Sequence, residues 1–252
     1  LLEQNYRSSQ NILDAANLLI KNNTERKEKN LWTENKKGEE VIYKRLNDER
    51  QEAQDVINHI YQMHHDGISF KDMAILYRTN AQSRSFEEKL MYEGIPHKVV
   101  GGLKFYDRKE VKDMIAYMYF IANQDDNLSL KRIINTPKRG IGDTTVQKLE
   151  NYSIRTGQSL FDAIFDEDLS EVLTSGTINK LRKFGNLIQT LIEDAKSLSV
   201  TEILWQIYDK STYQKMLVES KNIEDKSRIE NIESLINAVS EFEKDNPEAK
   251  LN

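Results

Sequence analysis

Cysteine is absent from all 252 residues. Disulfides, thiolate zinc sites and cysteine nucleophiles are therefore excluded, and the absence fits a reducing compartment. Long apolar runs are missing too. No segment approaches the roughly 18 residues of a membrane-spanning helix. The sequence opens at Leu1 directly in a motif-like segment, which leads us to expect a piece cut from a longer polypeptide, with no signal peptide in it. Positive charge is not in excess: 36 Lys and Arg against 41 Asp and Glu give a net −5, which argues against a globally basic, histone-like DNA binder. No Gly-x-x-x-x-Gly-Lys-Ser/Thr loop is present to cradle nucleotide phosphates, and no Asp-Glu pair stands in a strand context to hold magnesium. The histidines His59, His64, His65 and His97 give no metal pair at i, i+4. No Ser/His/Asp set has a local context for nucleophilic catalysis.

What is present is a chain of 38% hydrophobic and 31% charged residues, the balance of a surface-rich, helical protein long enough for one large or two modest domains. Charge is segregated along it. From Lys131 to Lys148 the chain carries Lys131, Arg132, Lys138, Arg139 and Lys148 against Asp143 alone, whereas Asp162, Asp166, Glu167, Asp168 and Glu171 follow with no cation among them. Within the basic stretch lies Asn135-Thr-Pro-Lys-Arg-Gly-Ile-Gly-Asp-Thr-Thr145. Two glycines flank one apolar residue, and Asp143 and Thr144 are placed to open a helix. Glycines let backbone N–H groups approach an anion, and a helix N-terminus adds unpaired N–H groups and the positive end of its dipole. The plainer reading is an inter-helix turn with a cap.

Read in order, Ser8 or Ser9 caps a helix through Ile12, Leu13, Ala16, Leu19 and Ile20, and residues 24–40 form a polar connection. Val41-Ile42-Tyr43 reads as a short strand, Asp48 opens a helix ending near Gly67, and Met73 to Tyr77 reads as a buried parallel strand. A helix through Phe86, Leu90 and Met91 closes at Gly94, and Ile95 to Val100 gives a third strand, stopped by Gly101-Gly102. This is α/β architecture. From Arg108 onward only helical periodicity remains, through segments beginning near Val111, Leu128, Thr144, Ser159, Ile178, Thr201, Thr212 and Ile223, with a polar tail from Glu243 expected to fray. The boundary falls at 106/107. Lys104, Arg108, Lys109 and Lys112 read either as a basic rim or as a solvated helix face.

Four stretches carry a resemblance. Gln4-Asn5-Tyr6-Arg7-Ser8 resembles motif IV of the UvrD/PcrA/Rep-like superfamily 1 DNA helicases, PcrA-type members above all. Residues 74–84, from Ala74-Ile75-Leu76-Tyr77-Arg78-Thr79-Asn80 to Arg84, then residues 101–113 and 135–142, resemble the same family in the same order. A weaker fifth likeness is Arg228-Ile-Glu-Asn-Ile-Glu-Ser-Leu235.

The resemblance implies an α/β, partial RecA-like motor domain 2A over 1–106, followed by an all-α helical domain, the 2B insertion, over 107–252. It implies that Tyr6 stacks on the ATP adenine and Arg7 reaches the γ-phosphate as the catalytic arginine. Arg78 and Asn80 would touch single-stranded DNA. Arg139, Gly140, Ile141, Gly142 and Thr144 would meet duplex DNA. ATP and Mg2+ are the implied cofactors of the intact protein, none of them tightly held by this piece. The implied setting is the cytoplasm, at the nucleoid, with DNA repair proteins as partners and no membrane. Because the phosphate loop, the magnesium acids and the family's later motifs are missing, the piece is expected to be inactive as an ATPase alone. The rival reading is a non-enzymatic module whose Gly-Ile-Gly hairpin docks duplex DNA or a protein.

Overall fold

The computed structural model describes residues 3–23, 29–220 and 222–251. Leu1 and Leu2 and the first part of the expected polar connection, residues 24–28, lie outside them. Two compact units form, residues 1–52 and 53–252. The boundary expected at 106/107 lies within the second.

The first unit carries helix α1 (Gln10–Ile20). Of its described residues only Leu13 is buried, at 3% exposure. Asparagine side chains tie its backbone together instead. Asn17 Nδ2 donates to Leu31 O at 2.8 Å and its Oδ1 accepts from Leu31 N at 3.1 Å. Asn11 Nδ2 donates to the carbonyls of Gly38 and Glu39. A parallel bridge pairs Gln4 with Trp32, with Asn5 N donating to Trp32 O at 2.8 Å.

The second unit is helical: α2 (Glu49–His65, whose first turn lies in the first unit), α3 (Ser83–Tyr92), α4 (Lys109–Ala122), α5 (Asn127–Ile133), α6 (Asp143–Thr156), α7 (Ser175–Ala195), α8 (Val200–Lys210), α9 (Tyr213–Glu219) and α10 (Ile223–Asp245). Their termini follow local chemistry. The Asp126 carboxylate caps α5 by accepting from Leu128 N and Ser129 N, and hydrogen bonding to Ser129, first from its side chain and then from its N–H, holds it below the usual carboxylate range. Ser199 and Glu202 form a reciprocal capping box at α8. The segment expected as a helix from Ser159 is a 3-10 turn, Asp162–Phe165. The tail from Glu243, expected to fray, continues α10 as far as Asp245. The Glu243 carboxylate accepts from Val200 N and Thr201 N at the start of α8, which pins that end of α10.

One large core joins α4 to α10, with Met114, Tyr117 and Phe120 of α4 packed among Leu130, Leu181, Phe184, Ile207 and Ile232. Two buried polar clusters accompany it. Arg108, expected as part of a basic rim or an exposed face, is buried and donates to Asn231 Oδ1 at 2.7 Å and Ser83 Oγ at 2.8 Å. Asp113, also buried, accepts from Arg132, Lys109 and the Tyr213 hydroxyl. A lone buried charge is costly, so each is surrounded by partners.

The three expected strands, 41–43, 73–77 and 95–100, form no β-ladder among the described residues. The expected α/β, RecA-like part is therefore not seen among the described residues, where these segments run as non-helical chain without a strand partner. Exposure alternates with the period of a strand from Met73 to Asn80. Met73 and Ile75 pack toward Ile57, Ile60, Leu90 and Ile95, while Leu76 is 93% exposed. Apolar periodicity reports the conformation of a segment and one packed face; a strand also needs a hydrogen-bonded neighbour, which periodicity does not supply.

Candidate nucleic-acid interface

The Gly-Ile-Gly stretch is built as a hairpin clamped from beneath. Asn135 Oδ1 accepts both the Arg139 N–H at 2.7 Å and the Ile141 N–H at 3.2 Å. Ile141 is 1% exposed and anchors the turn in the core. Gly140 has φ +70°, a left-handed conformation that favours glycine. Gly142 then precedes the first turn of α6 as its N-cap, and its own side-chain space is open. Among the described residues, the N–H groups of Gly140, Gly142, Asp143 and Thr144 meet no acceptor. All four residues are exposed, so the hairpin presents backbone donors outward and its apolar residue inward.

Arg139, expected to face phosphate, turns the other way. Its guanidinium donates to Ile133 O at 3.0 Å, Pro137 O at 3.2 Å, Ser211 O at 3.3 Å and the Tyr117 hydroxyl at 2.8 Å. It also lies 5.2 Å from the centre of the Phe184 ring. Burial pushes the Tyr117 phenol up to about 12, with the neighbouring Arg139 charge opposing the rise. Two more cations of the basic stretch are committed: Lys131 pairs with Glu150, and Arg132 with Asp113. Lys138 and Lys148 are exposed. A cation that the sequence did not point to stands beside them. Lys180 of α7 places Nζ 3.4 Å from Gly140 O.

Arg78 and Asn80 sit on the turn before α3. Gln82 Oε1 accepts from Arg78 N at 2.9 Å and Thr79 N at 3.0 Å, and Asn80 O accepts from Ser83 Oγ at 2.9 Å. These bonds use backbone groups. Both side chains are exposed, and the Arg78 guanidinium has no partner among the described residues. Ser83 also accepts from the buried Arg108, so the turn is braced from the core through a residue whose role was not legible in its spacing.

In the first unit, Tyr6 is 80% exposed with its hydroxyl donating to Gln4 Oε1 at 2.8 Å. Arg7 is exposed too, and its guanidinium is unpaired among the described residues. Their loop is shaped by Asn5, whose Oδ1 accepts from Arg7 N and Ser8 N. Asn35 adds bonds from Nδ2 to the carbonyls of Tyr6 and Ser8. Asn5, Asn35 and Asn135 thus hold backbone so that other residues can face outward. Among the described residues no cluster of His, Asp and Glu is arranged to hold a metal ion, and no helix is long and apolar enough to cross a membrane.

A Tyr-Arg loop, an Arg-Thr-Asn turn and a hairpin with unpaired backbone donors at a helix start follow one another along the chain. Residues 1–252 match the UvrD-like helicase C-terminal domain, and the chain belongs to that family. It is 46% identical to the ATP-dependent DNA helicase PcrA of Staphylococcus aureus (strain Mu50 / ATCC 700699) over 249 residues, 98% of this chain and 34% of the relative. The protein of the same name from Staphylococcus epidermidis (strain ATCC 12228 / FDA PCI 1200) is 45% identical over the same share of both chains. The chain therefore spans about a third of the length of these relatives.

Proposed function

We propose that this chain is part of an ATP-dependent 3′-to-5′ DNA helicase or translocase acting in DNA repair and replication, in the cytoplasm at the nucleoid. The observation that carries the reading is the match to helicases across the whole chain. Residues 1–106 are the first part of a RecA-like motor domain, and 107–252 a helical insertion. The extended segments at 73–77 and 95–100, with side chains such as Leu76 left exposed, are strands of a sheet completed by chain beyond these residues.

ATP and Mg2+ serve the intact protein. Tyr6 stacks on the base, and Arg7 neutralises charge developing on the γ-phosphate, a role worth on the order of 10³ to 10⁵ in rate for an arginine so placed. The exposure of both side chains, on a loop that asparagines hold, supports this assignment. Arg78 and Asn80 contact the translocating single strand. The hairpin grips duplex DNA through backbone N–H groups of Gly140 and Gly142 and through Thr144, with Ile141 and Arg139 as its internal supports. Such contacts reach phosphate and are indifferent to sequence. Alone, the chain neither hydrolyses ATP nor unwinds DNA.

Gly142→Asp tests the duplex grip. A side chain added there meets no neighbour, and aspartate is a favoured N-cap, so the fold is expected to keep or gain stability. The new carboxylate occupies the N–H groups that phosphate would use. Duplex affinity, measured by titration of a labelled duplex, is expected to fall by at least tenfold. Unchanged affinity would remove the hairpin from the DNA interface. DNA-stimulated ATP turnover by the chain alone would contradict its assignment as an incomplete motor.

A further inference from the structure

If the hairpin grips phosphate and Arg139 is committed to the core, the balancing positive charge must come from another residue. We propose that Lys180, on α7, is the cation of the duplex-phosphate site, completing from 40 residues downstream the donor set of the Gly140–Thr144 hairpin. The inference rests on the hairpin reading above and adds a residue that the motif does not contain.

Four observations support it. Lys180 Nζ lies against the hairpin, donating at a long 3.4 Å to Gly140 O. An ammonium group has three donors, so that one weak bond leaves donors directed to solvent beside the unpaired N–H groups. The lysine end lies directly over Gly140: a Cβ built there would be 2.9 Å from Nζ and 3.5 Å from the adjoining carbon. No carboxylate of the described residues pairs with Lys180, in contrast to Lys131 and Arg132, whose charges are met by Glu150 and Asp113. On the exposed side of α7, Lys180 is followed one turn later by Lys183, and no acid occurs in the helix before Glu193.

Such a group also adds to the charge that the hairpin's exposed side chains offer. Asp143 is exposed in the first turn of α6 and brings a negative charge to the end that would receive phosphate. Lys138, exposed in the hairpin itself, offsets it. Lys180 then makes the exposed side chains of the site net positive. A lysine acts as a point charge on a flexible stem and suits a backbone phosphate whose position varies with DNA sequence and shape, whereas the Arg139 fork is matched to fixed carbonyl oxygens.

The test is the salt dependence of binding of the 252-residue chain to a short blunt duplex, for wild type, Lys180→Gln, Gly142→Asp and Lys215→Gln. Lys215 is exposed and lies 3.8 Å from Glu219 on α9, so its variant reports the effect of net charge alone. The expected result is a slope of log K against log salt that flattens by ~0.9 in Lys180→Gln, one phosphate contact, with Lys215→Gln at the wild-type slope. Loss of binding in Gly142→Asp combined with a wild-type slope in Lys180→Gln would overturn this inference and leave the hairpin reading standing. Equal flattening in Lys180→Gln and Lys215→Gln would overturn it as a bulk charge effect. Wild-type binding in Gly142→Asp, or no duplex binding by the wild type at the lowest salt, would overturn both.

Discussion

Arg7 and Arg139 occupy corresponding places in two motifs, each an arginine expected to meet phosphate, yet the two parts of the molecule treat them in opposite ways. In the first unit Leu13 is the one buried residue among those described, and asparagine side chains rather than a core fix the loop from which Arg7 extends. In the second unit a large core lies beneath the hairpin, and its carbonyls draw the Arg139 guanidinium inward. A loop held only by local hydrogen bonds has no buried acceptors to offer, so its arginine stays available. A hairpin laid over a core has carbonyls to satisfy, and the arginine that satisfies them is no longer free.

The largest effect that would break this contrast is in stability. Arg139→Ala strips partners from Ile133 O, Pro137 O, Ser211 O and the Tyr117 hydroxyl, and we expect a loss of about 3 kcal/mol in urea unfolding of the second unit. A loss within ~0.5 kcal/mol would mean the inward bonds contribute little.

Next comes pH. The unfolded chain ionises the Tyr117 phenol near 10, whereas the folded chain keeps it neutral up to about 12. The folded state binds that proton more tightly, so the stabilisation is fully present below pH 10 and is lost as pH rises from 10 to about 12. On the order of 2 kcal/mol is expected from this group, and Tyr208, also raised by burial to about 12, acts in the same direction. Urea unfolding followed from pH 9 to 12 checks it; a flat profile would contradict the burial of these phenols.

A smaller effect is expected in the first unit. Asn17→Ala removes both bonds to Leu31, at about 1 kcal/mol. Its consequence is local: amide hydrogen exchange should quicken in residues 3–23 and 29–45 and stay unchanged across α4 to α10. Smallest of all, Arg7→Ala should leave the thermal midpoint within about 2 °C of wild type, because nothing among the described residues rests on its guanidinium.

The same contrast explains what could be read in the sequence. Helices were legible because their apolar residues recur at helical spacing and their ends carry recognisable caps, as with Asp48, whose carboxylate accepts from Gln51 N at the start of α2. Tyr6, Arg7, Arg78 and Asn80 are exposed, as short polar turns between periodic segments commonly are. Strand pairing was not legible. The run Met73 to Tyr77 specifies one packed face, and its spacing says nothing of a hydrogen-bonded neighbour. The direction of Arg139 was equally hidden, because its acceptors include Ser211 O, 72 residues away. Lys180 carried no signal at all, since its place beside Gly140 follows from how α7 packs.

The central claim is that Arg139 braces the hairpin while other groups meet the DNA, and Arg139→Gln tests it most directly. Duplex binding is measured across salt concentrations at a temperature where the variant is folded, alongside its thermal unfolding. The account predicts a lower unfolding midpoint with the wild-type salt slope. A salt slope flattened by ~0.9 at an unchanged midpoint would contradict it, placing the Arg139 charge on phosphate after all.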